Sequence, residues 1–219
     1  MSKENRLTAR TRYIIGLLNV KKNDRILNIG ISNIPEIEMA LENKVKECAT
    51  IDIDDKKLKY ASKFLKKAKL INADILKKLP FKERYFDKVV IIEVLEHLED
   101  DNRAVKEIYR VLKSNGIIIA AVPNKHPLHI INPVKYLEHK RHYSNEEIIK
   151  LLEINNFRIL ELNAVEDWTL LANLYIHLFN RFILRKPRKF HIFTRSASRT
   201  YERKNKSGLD IIVKARKEL

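Results

Sequence analysis

The chain has 219 residues, of which 45% are hydrophobic, and it carries a formal net charge of +16. This length supports one sizeable core, so we expect a single domain over residues 1–219. The single cysteine, Cys48, excludes an internal disulfide and a cysteine-based zinc cage. Neither an apolar signal core nor an apolar run of membrane-spanning length is found, so we expect a cytoplasmic protein.

Strand-like and helix-like segments alternate along the first half of the chain. The predicted elements are a helix over 8–18, a strand over 25–30, a helix over 35–42, a strand over 48–53, a helix from 54 or 55 to about 67, and a strand over 69–73. Pro35 suits the first turn of the second helix, and Asp54 or Asp55 can cap the third.

The second half continues the same alternation, with one long interruption. We predict a strand over 86–92, a helix over 100–112, a strand over 117–122, a helix over 145–153, and strands over 157–162 and 209–215. Ser114-Asn115-Gly116 is expected to stop the first of these helices. Ser144 and Glu147 have the spacing of a capping box at the start of the second. Repeated β-α units predict an α/β fold, a mostly parallel sheet with helices on both faces.

The interruption, residues 165–206, is longer than an ordinary connection between two strands, so we predict an insertion there. Apolar residues recur at helical spacing over 168–184, which predicts an amphipathic helix. A basic stretch follows at 186–206, and much of the positive charge of the chain lies beyond residue 181. An apolar face with a basic flank suits an anionic membrane surface, and it also suits RNA.

Polar residues follow the predicted strands at the points where these strands end. Asn28 and Gly30 end the first strand, and Asp52 and Asp74 end the next two. Glu93, Glu96 and His97 lie just beyond the strand over 86–92. The carboxyl ends of parallel strands are where open α/β sheets bind ligands, so we expect the site at this edge.

Six segments, in this order and spacing, resemble the class I S-adenosylmethionine (SAM) dependent methyltransferases, most closely those similar to the ubiquinone-biosynthesis O-methyltransferases (methyltransferase type 11/23-like). They are the loop at 26–33, Ile51-Asp52-Ile53-Asp54-Asp55, Asn72-Ala73-Asp74, the run 79–98, the helix exit at 109–116, and Val122-Pro123-Asn124 with Arg141-His142-Tyr143-Ser144. The resemblance implies a Rossmann-like seven-stranded sheet with an antiparallel last strand.

The resemblance also implies SAM as the cofactor and assigns residues to it. Asp52 would accept hydrogen bonds from both ribose hydroxyls, since a carboxylate offers two acceptor oxygens. Gly30 would leave room for the methionine end, and Asp74 would accept from the adenine amino group. Asn28, which stands where the family usually has an acid, Ile53, Ile75 and Glu93 complete the expected cofactor-binding set.

A dehydrogenase with the same kind of sheet is a weaker interpretation. Dinucleotide binding needs a G-x-G-x-x-G turn that brings the pyrophosphate onto a helix N-terminus. In this chain Gly30 is not followed by another glycine in its loop. SAM has no pyrophosphate, so the methyltransferase interpretation tolerates that departure better.

For the chemistry we expect His97 and His142 to be the catalytic residues, because an imidazole titrates near neutral pH and can take a hydroxyl proton. A divalent metal held by Glu93, Glu96 and His97 is an open alternative, as is a purely structural role for these three residues. His139 and Arg141 lie in the segment that faces the acceptor in the resembling family.

We expect O-methylation of a small or lipid-like acceptor. An RNA methyltransferase that uses the basic C-terminal region is the alternative within enzymes. A binding protein that kept the fold and lost activity is the alternative outside them, since the glycine loop departs from the family pattern. The acceptor and the oligomeric state stay open.

Overall fold

The computed structural model describes residues 7–125, 139–165, 208 and 210–218. In this part of the chain seven strands form one sheet with the order β3-β2-β1-β4-β5-β7-β6. The strands are β1 (Arg25–Ile29), β2 (Glu47–Asp52), β3 (Lys69–Asn72), β4 (Phe86–Ile92), β5 (Leu112–Pro123), β6 (Phe157–Val165) and β7 (Asp210–Lys217).

The sheet is parallel except for its last strand. β1 to β5 pair in parallel register, for example Ile29 opposite Ile51 and Ile29 opposite Ile91. β7 pairs antiparallel with both β5 and β6. The chain order reverses at β1, whose neighbours are β2 and β4, so the ends of these three strands are adjacent. This confirms the predicted fold class and fixes the edge at which a ligand site is expected.

Helices cover both faces, as the β-α alternation predicted. The described helices are α1 (Ala9–Leu18), α2 (Glu36–Leu41), α3 (Asp55–Ala61), α4 (Asp101–Val111) and α5 (Asn145–Glu153), with a short 3-10 helix at Leu95–His97. Val89 and Ile91 of β4 pack on the side of α4 and α5, and Val90 packs on the side of α1 and α2. All three side chains are fully buried. The apolar run of β4 is therefore explained by burial on both sides of the sheet.

Two element boundaries differ most from the sequence prediction, and each is set by contacts with residues distant in the sequence. α3 ends at Ala61, short of residue 67, because the Glu42 carboxylate accepts hydrogen bonds from the backbone N–H groups of Lys66 and Lys67 and holds them outside a helix. β5 starts at Leu112 directly after α4, and the Ser114-Asn115-Gly116 segment lies inside the strand. Asn115 has a positive φ of 61° there, next to a register shift in the β4–β5 pairing.

The predicted insertion, with its amphipathic helix over 168–184 and basic stretch over 186–206, lies outside the described residues, except that β6 extends to Val165. Within the described part, the helices are all too short or too polar to cross a membrane. The capping box predicted at Ser144 is present: its hydroxyl accepts from the Glu147 N–H at 3.2 Å, and the Glu147 carboxylate accepts from the Ser144 N–H at 2.8 Å.

Candidate functional site

Gly30 begins the loop that follows β1, and its backbone requires a glycine. Its φ is +84°, a backbone conformation that residues with a side chain rarely adopt. A Cβ at this position would also lie 2.5 Å from Cγ2 of Val94. The Gly30 N–H donates to the carbonyl of Ile51 at 2.8 Å, which ties the loop to β2. The missing side chain thus lets the segment after β4 approach the end of β1.

Asp52 lies at the end of β2 and joins this loop to the next one. One carboxylate oxygen accepts from the Ile31 N–H and the other from the Asp54 N–H, both at 2.8 Å. A carboxylate has about four acceptor positions, so two are left for the two hydroxyls of a ribose. Asp54 itself caps α3 by accepting from the Lys56 N–H at 2.8 Å. The division expected from the sequence, in which Asp54 or Asp55 caps and Asp52 is available to bind, fits this geometry.

The residues expected on the adenine side lie on the loops after β2 and β3. Ile53 is 72% exposed, which is unusual for a large apolar side chain next to a buried strand. The Asp74 carboxylate accepts from the Leu76 N–H at 2.9 Å, within its own turn. Ile75 is only 5% exposed and packs in the core, so only its backbone groups are available to a ligand.

Asn28 is part of a buried polar network that the sequence did not predict. Its side-chain amide donates to the Gly30 carbonyl at 2.9 Å and to the Glu38 carboxylate at 2.6 Å. The Thr50 hydroxyl donates to the same Glu38 oxygen at 2.7 Å. Burial raises the pKa of Glu38, against these two hydrogen bonds that lower it. The amide oxygen of Asn28 is buried and accepts no hydrogen bond from the described residues.

Glu93 follows β4 with a positive φ of 50°, and its side chain turns toward α1. Its carboxylate forms an ion pair with Arg10, which also lies 3.7 Å from the carboxylate of Asp210 on β7. The Glu93 side chain is 35% exposed. The three residues form a charged cluster at the ends of α1, β4 and β7.

Glu96 is fully buried in the 3-10 helix, and its two carboxylate oxygens find no hydrogen-bond donor among the described residues. Burial, with a smaller contribution from the Glu93 charge, raises its pKa to about 8. One carboxylate oxygen of Glu96 and one ring nitrogen each of His97 and His139 lie within 4.8 Å of one another. These are the described side chains that could hold a divalent metal; Glu93, expected in such a set, is not among them.

His142 is brought to the same place by a well-anchored loop. Nδ1 of His139 lies 3.3 Å from Nε2 of His142, and the His97 and His139 rings are 4.9 Å apart. Arg141 and Tyr143, on either side of His142, both contact the Asp101 carboxylate, at 2.6 and 2.7 Å. The two predicted catalytic histidines therefore lie in one cluster, with His139 between them.

The comparisons with known proteins bear on the family of the chain. A family model described as a methyltransferase domain matches residues 27–120. MJ0638 of Methanocaldococcus jannaschii, an uncharacterised protein, is 39% identical over 129 residues, which are 58% of this chain and 53% of that protein. YrhH of Bacillus subtilis, named as a methyltransferase, is 30% identical over 122 residues, 52% of this chain and 67% of YrhH.

A solved SAM-dependent methyltransferase from Archaeoglobus fulgidus shares the fold, with a TM-score of 0.68 at 22% identity over 99% of this chain and 95% of that one. The chain belongs to the SAM-dependent methyltransferase family. It spans about half of MJ0638 and two thirds of YrhH. The cofactor of this family is SAM, and the residues at the ends of β1 and β2 fit it: a glycine turn with positive φ, a carboxylate with spare acceptor positions, and an exposed apolar side chain beside it.

Proposed function

We propose that this protein transfers the methyl group of SAM to an oxygen of a small or lipid-like acceptor. The observation that carries the proposal is the placement of Asp52 beside the Gly30 loop, on the same sheet edge as the histidine cluster. A cofactor held by Asp52 would therefore lie next to side chains that can take a proton. When bound, SAM supplies an electrophilic methyl group. The residues of the chain bind the cofactor and take the proton of the acceptor.

The cofactor-binding roles follow from the ends of the strands. Asp52 accepts from the ribose hydroxyls, the exposed Ile53 side chain covers one face of the adenine, and Asp74 accepts from its amino group. Asn28 and Gly30 border the methionine end. Glu93, which is paired with Arg10, closes the same end from β4, and the Ile75 backbone borders the adenine.

The histidine cluster supplies the acid–base chemistry. His142 or His97 would take the proton of the acceptor hydroxyl as its oxygen formed a bond to the methyl carbon and the bond from that carbon to sulfur broke. S-Adenosylhomocysteine is then the neutral-sulfur product. A general base is needed for a hydroxyl acceptor, and an imidazole side chain can act as one, which is why the histidines favour O-methylation.

A transfer assay tests the reaction. The full chain is incubated with SAM carrying a labelled methyl group and a panel of phenols, catechols and long-chain hydroxylated lipids, and label in the extracted acceptor is counted. We expect His142→Ala to lower the rate on the accepted compound by about 100-fold, as loss of a general base does, while SAM affinity stays within twofold. A rate unchanged by both His97→Ala and His142→Ala contradicts the assigned base.

A basic groove favours RNA methylation as a second candidate function. The segment after Asp74 and the exposed side of α4 line it with Lys77, Lys78, Arg103, Lys106 and Arg110. Its one carboxylate, Glu107, is paired with Arg110 at 2.6 Å. Among the described residues the other four cations have no ion-pair partner. Such a concave cationic surface beside the adenine side of the site suits a phosphate backbone.

A further inference from the structure

Glu38 is a buried acid with no cation beside it among the described residues. It is 1% exposed and lies on α2, below the Gly30 loop. Its hydrogen-bond donors are the neutral side chains of Asn28 and Thr50, which is itself fully buried. No described Lys, Arg or His forms an ion pair with it. Burying a carboxylate without a cation is unfavourable, so its presence here calls for a compensating role.

The position of Glu38 points to that role. Its carboxylate holds the Asn28 amide, and the same amide group holds the Gly30 carbonyl at 2.9 Å. Both contacts need the amide nitrogen as donor, so the amide oxygen of Asn28 is fixed on the other side, where it accepts nothing from the described residues. A buried carboxyl group, a hydrogen-bonded carbonyl and an unused acceptor thus lie together beneath one loop.

We infer that Glu38 is a positioning residue for the amino-acid end of the cofactor. Through Asn28 and the Gly30 loop, the cationic ammonium group that this end carries and the ionised form of Glu38 favour each other. The inference rests on the proposed function, because it takes SAM as the ligand of the Gly30 loop. Glu38 contacts no reacting atom, and its effect is on affinity for the ligand end that bears the ammonium group.

Two neutral-sulfur ligands isolate this effect. S-Adenosylhomocysteine has the ammonium-bearing chain, and 5′-methylthioadenosine has the same nucleoside with a methyl group in its place. Calorimetric titration of both into wild type and Glu38→Gln gives a ratio of affinities for each protein. The glutamine keeps one oxygen for Asn28 and Thr50, removes the possibility of a negative charge and puts an amide NH2 group in place of the second oxygen. We expect the ratio to fall about tenfold in Glu38→Gln, through weaker S-adenosylhomocysteine binding alone.

Two further variants test whether the lost negative charge causes the change in the ratio of affinities. Asn28→Asp combined with Glu38→Gln places a carboxylate at the neighbouring position of the same hydrogen-bonded network. We expect this double variant to recover most of the loss in the ratio of affinities. Glu42→Gln removes another buried carboxylate from the end of the same helix, and we expect no change in the ratio. Thermal unfolding of each variant checks folding; we expect the midpoint of Glu38→Gln to equal or exceed that of wild type, because an uncompensated buried charge is gone.

The outcomes separate this inference from the proposed function. Equal weakening of both ligands in Glu38→Gln, no change in either, or failure of the double variant to recover the ratio overturns the role of Glu38. Wild type that binds neither S-adenosylhomocysteine nor SAM overturns the proposed function itself.

Discussion

Asn28 shows what a single residue can and cannot reveal at the level of sequence. Its place at the end of β1 marks it as a departure from the acid that the resembling family carries there. The carboxylate that lies beside it belongs to Glu38, ten residues later and on a helix that showed no motif. Only the packing of α2 against β1 and β2 brings the two together, so spacing along the chain gave no signal for the pair.

Gly30 allows a direct test of the loop. Gly30→Ala is destabilised for two reasons: the backbone φ of +84° is unfavourable for alanine, and the Val94 side chain occupies the place of the new Cβ. We expect a loss of about 1–3 kcal/mol in the free energy of unfolding, measured by urea titration. Gly16→Ala is the control, since a Cβ at Gly16 meets nothing within 4 Å and lies in helix α1. Equal stability of the two variants contradicts the strain.

Glu96 makes a pH-dependent contribution to stability whose sign is set by burial. Its pKa in the folded chain is about 8, against an ordinary value of 4.5. Between these values the folded chain keeps a proton that the unfolded chain releases, so stability falls as pH rises, by up to about 1.4 kcal/mol per pH unit. Glu96→Gln removes this dependence. Urea unfolding of wild type and variant at about pH 5 and pH 8 measures it, and parallel pH profiles would refute the assignment.

Among the secondary elements, the strands and the helices with clear caps were predictable from the sequence. A continuous apolar run indicates a strand buried on both faces, and a capping motif indicates a helix start; both are local patterns. The end of α3 and the start of β5 did not follow, since each depends on a distant partner. Glu42 fixes the segment after α3, and the pairing of Phe86 with Leu112 draws the segment around Asn115 into the sheet. A turn signature such as Ser114-Asn115-Gly116 cannot distinguish a helix stop from a bulge within a strand.

The loop that carries His142 is positioned by α4 through Asp101. Asp101→Asn weakens the ion pair to Arg141 and leaves a hydrogen-bonding group for Tyr143. We expect the methyl-transfer rate to fall about tenfold while the dissociation constant of SAM stays within twofold, because the change displaces the base and leaves the cofactor site intact. Stopped-assay rates and calorimetric titration give the two numbers. A matching loss of SAM affinity would show that the loop also holds the cofactor.

At the scale of the whole molecule, the fold class and the edge that carries the site were predictable from the order of strands and polar ends. The histidine cluster was predictable only in part: His97 and His142 were expected at the site, whereas the bridging place of His139 depends on the hydrogen bonds from the backbone of Lys140 and Arg141 to the Glu96 carbonyl of the 3-10 helix. The metal-competent set differs from the expected one because Glu93 is drawn to Arg10, a residue more than eighty positions away in sequence.

The basic groove gives a prediction at the same scale. If RNA is a ligand, its affinity falls steeply with salt, and Lys77→Glu combined with Lys106→Glu weakens it by at least tenfold while reducing the salt slope by about two. Fluorescence anisotropy with a labelled single-stranded RNA at several salt concentrations measures both quantities. Lys59→Glu with Lys63→Glu, on and just after α3 and outside the groove, is a control with the same change in net charge. Equal weakening by both pairs would indicate binding through net charge alone.

Titration of SAM into the full chain by calorimetry tests the central claim most directly. The account predicts one site per chain and at least about tenfold weaker binding to Asp52→Asn, because the amide cannot replace the second acceptor oxygen. Asp54→Asn is the control: it changes the next aspartate of the same loop, and asparagine is also a good helix cap. This variant should bind SAM as wild type does. Absence of heat with wild type, or equal affinity of all three proteins, would contradict a SAM site at the end of β2.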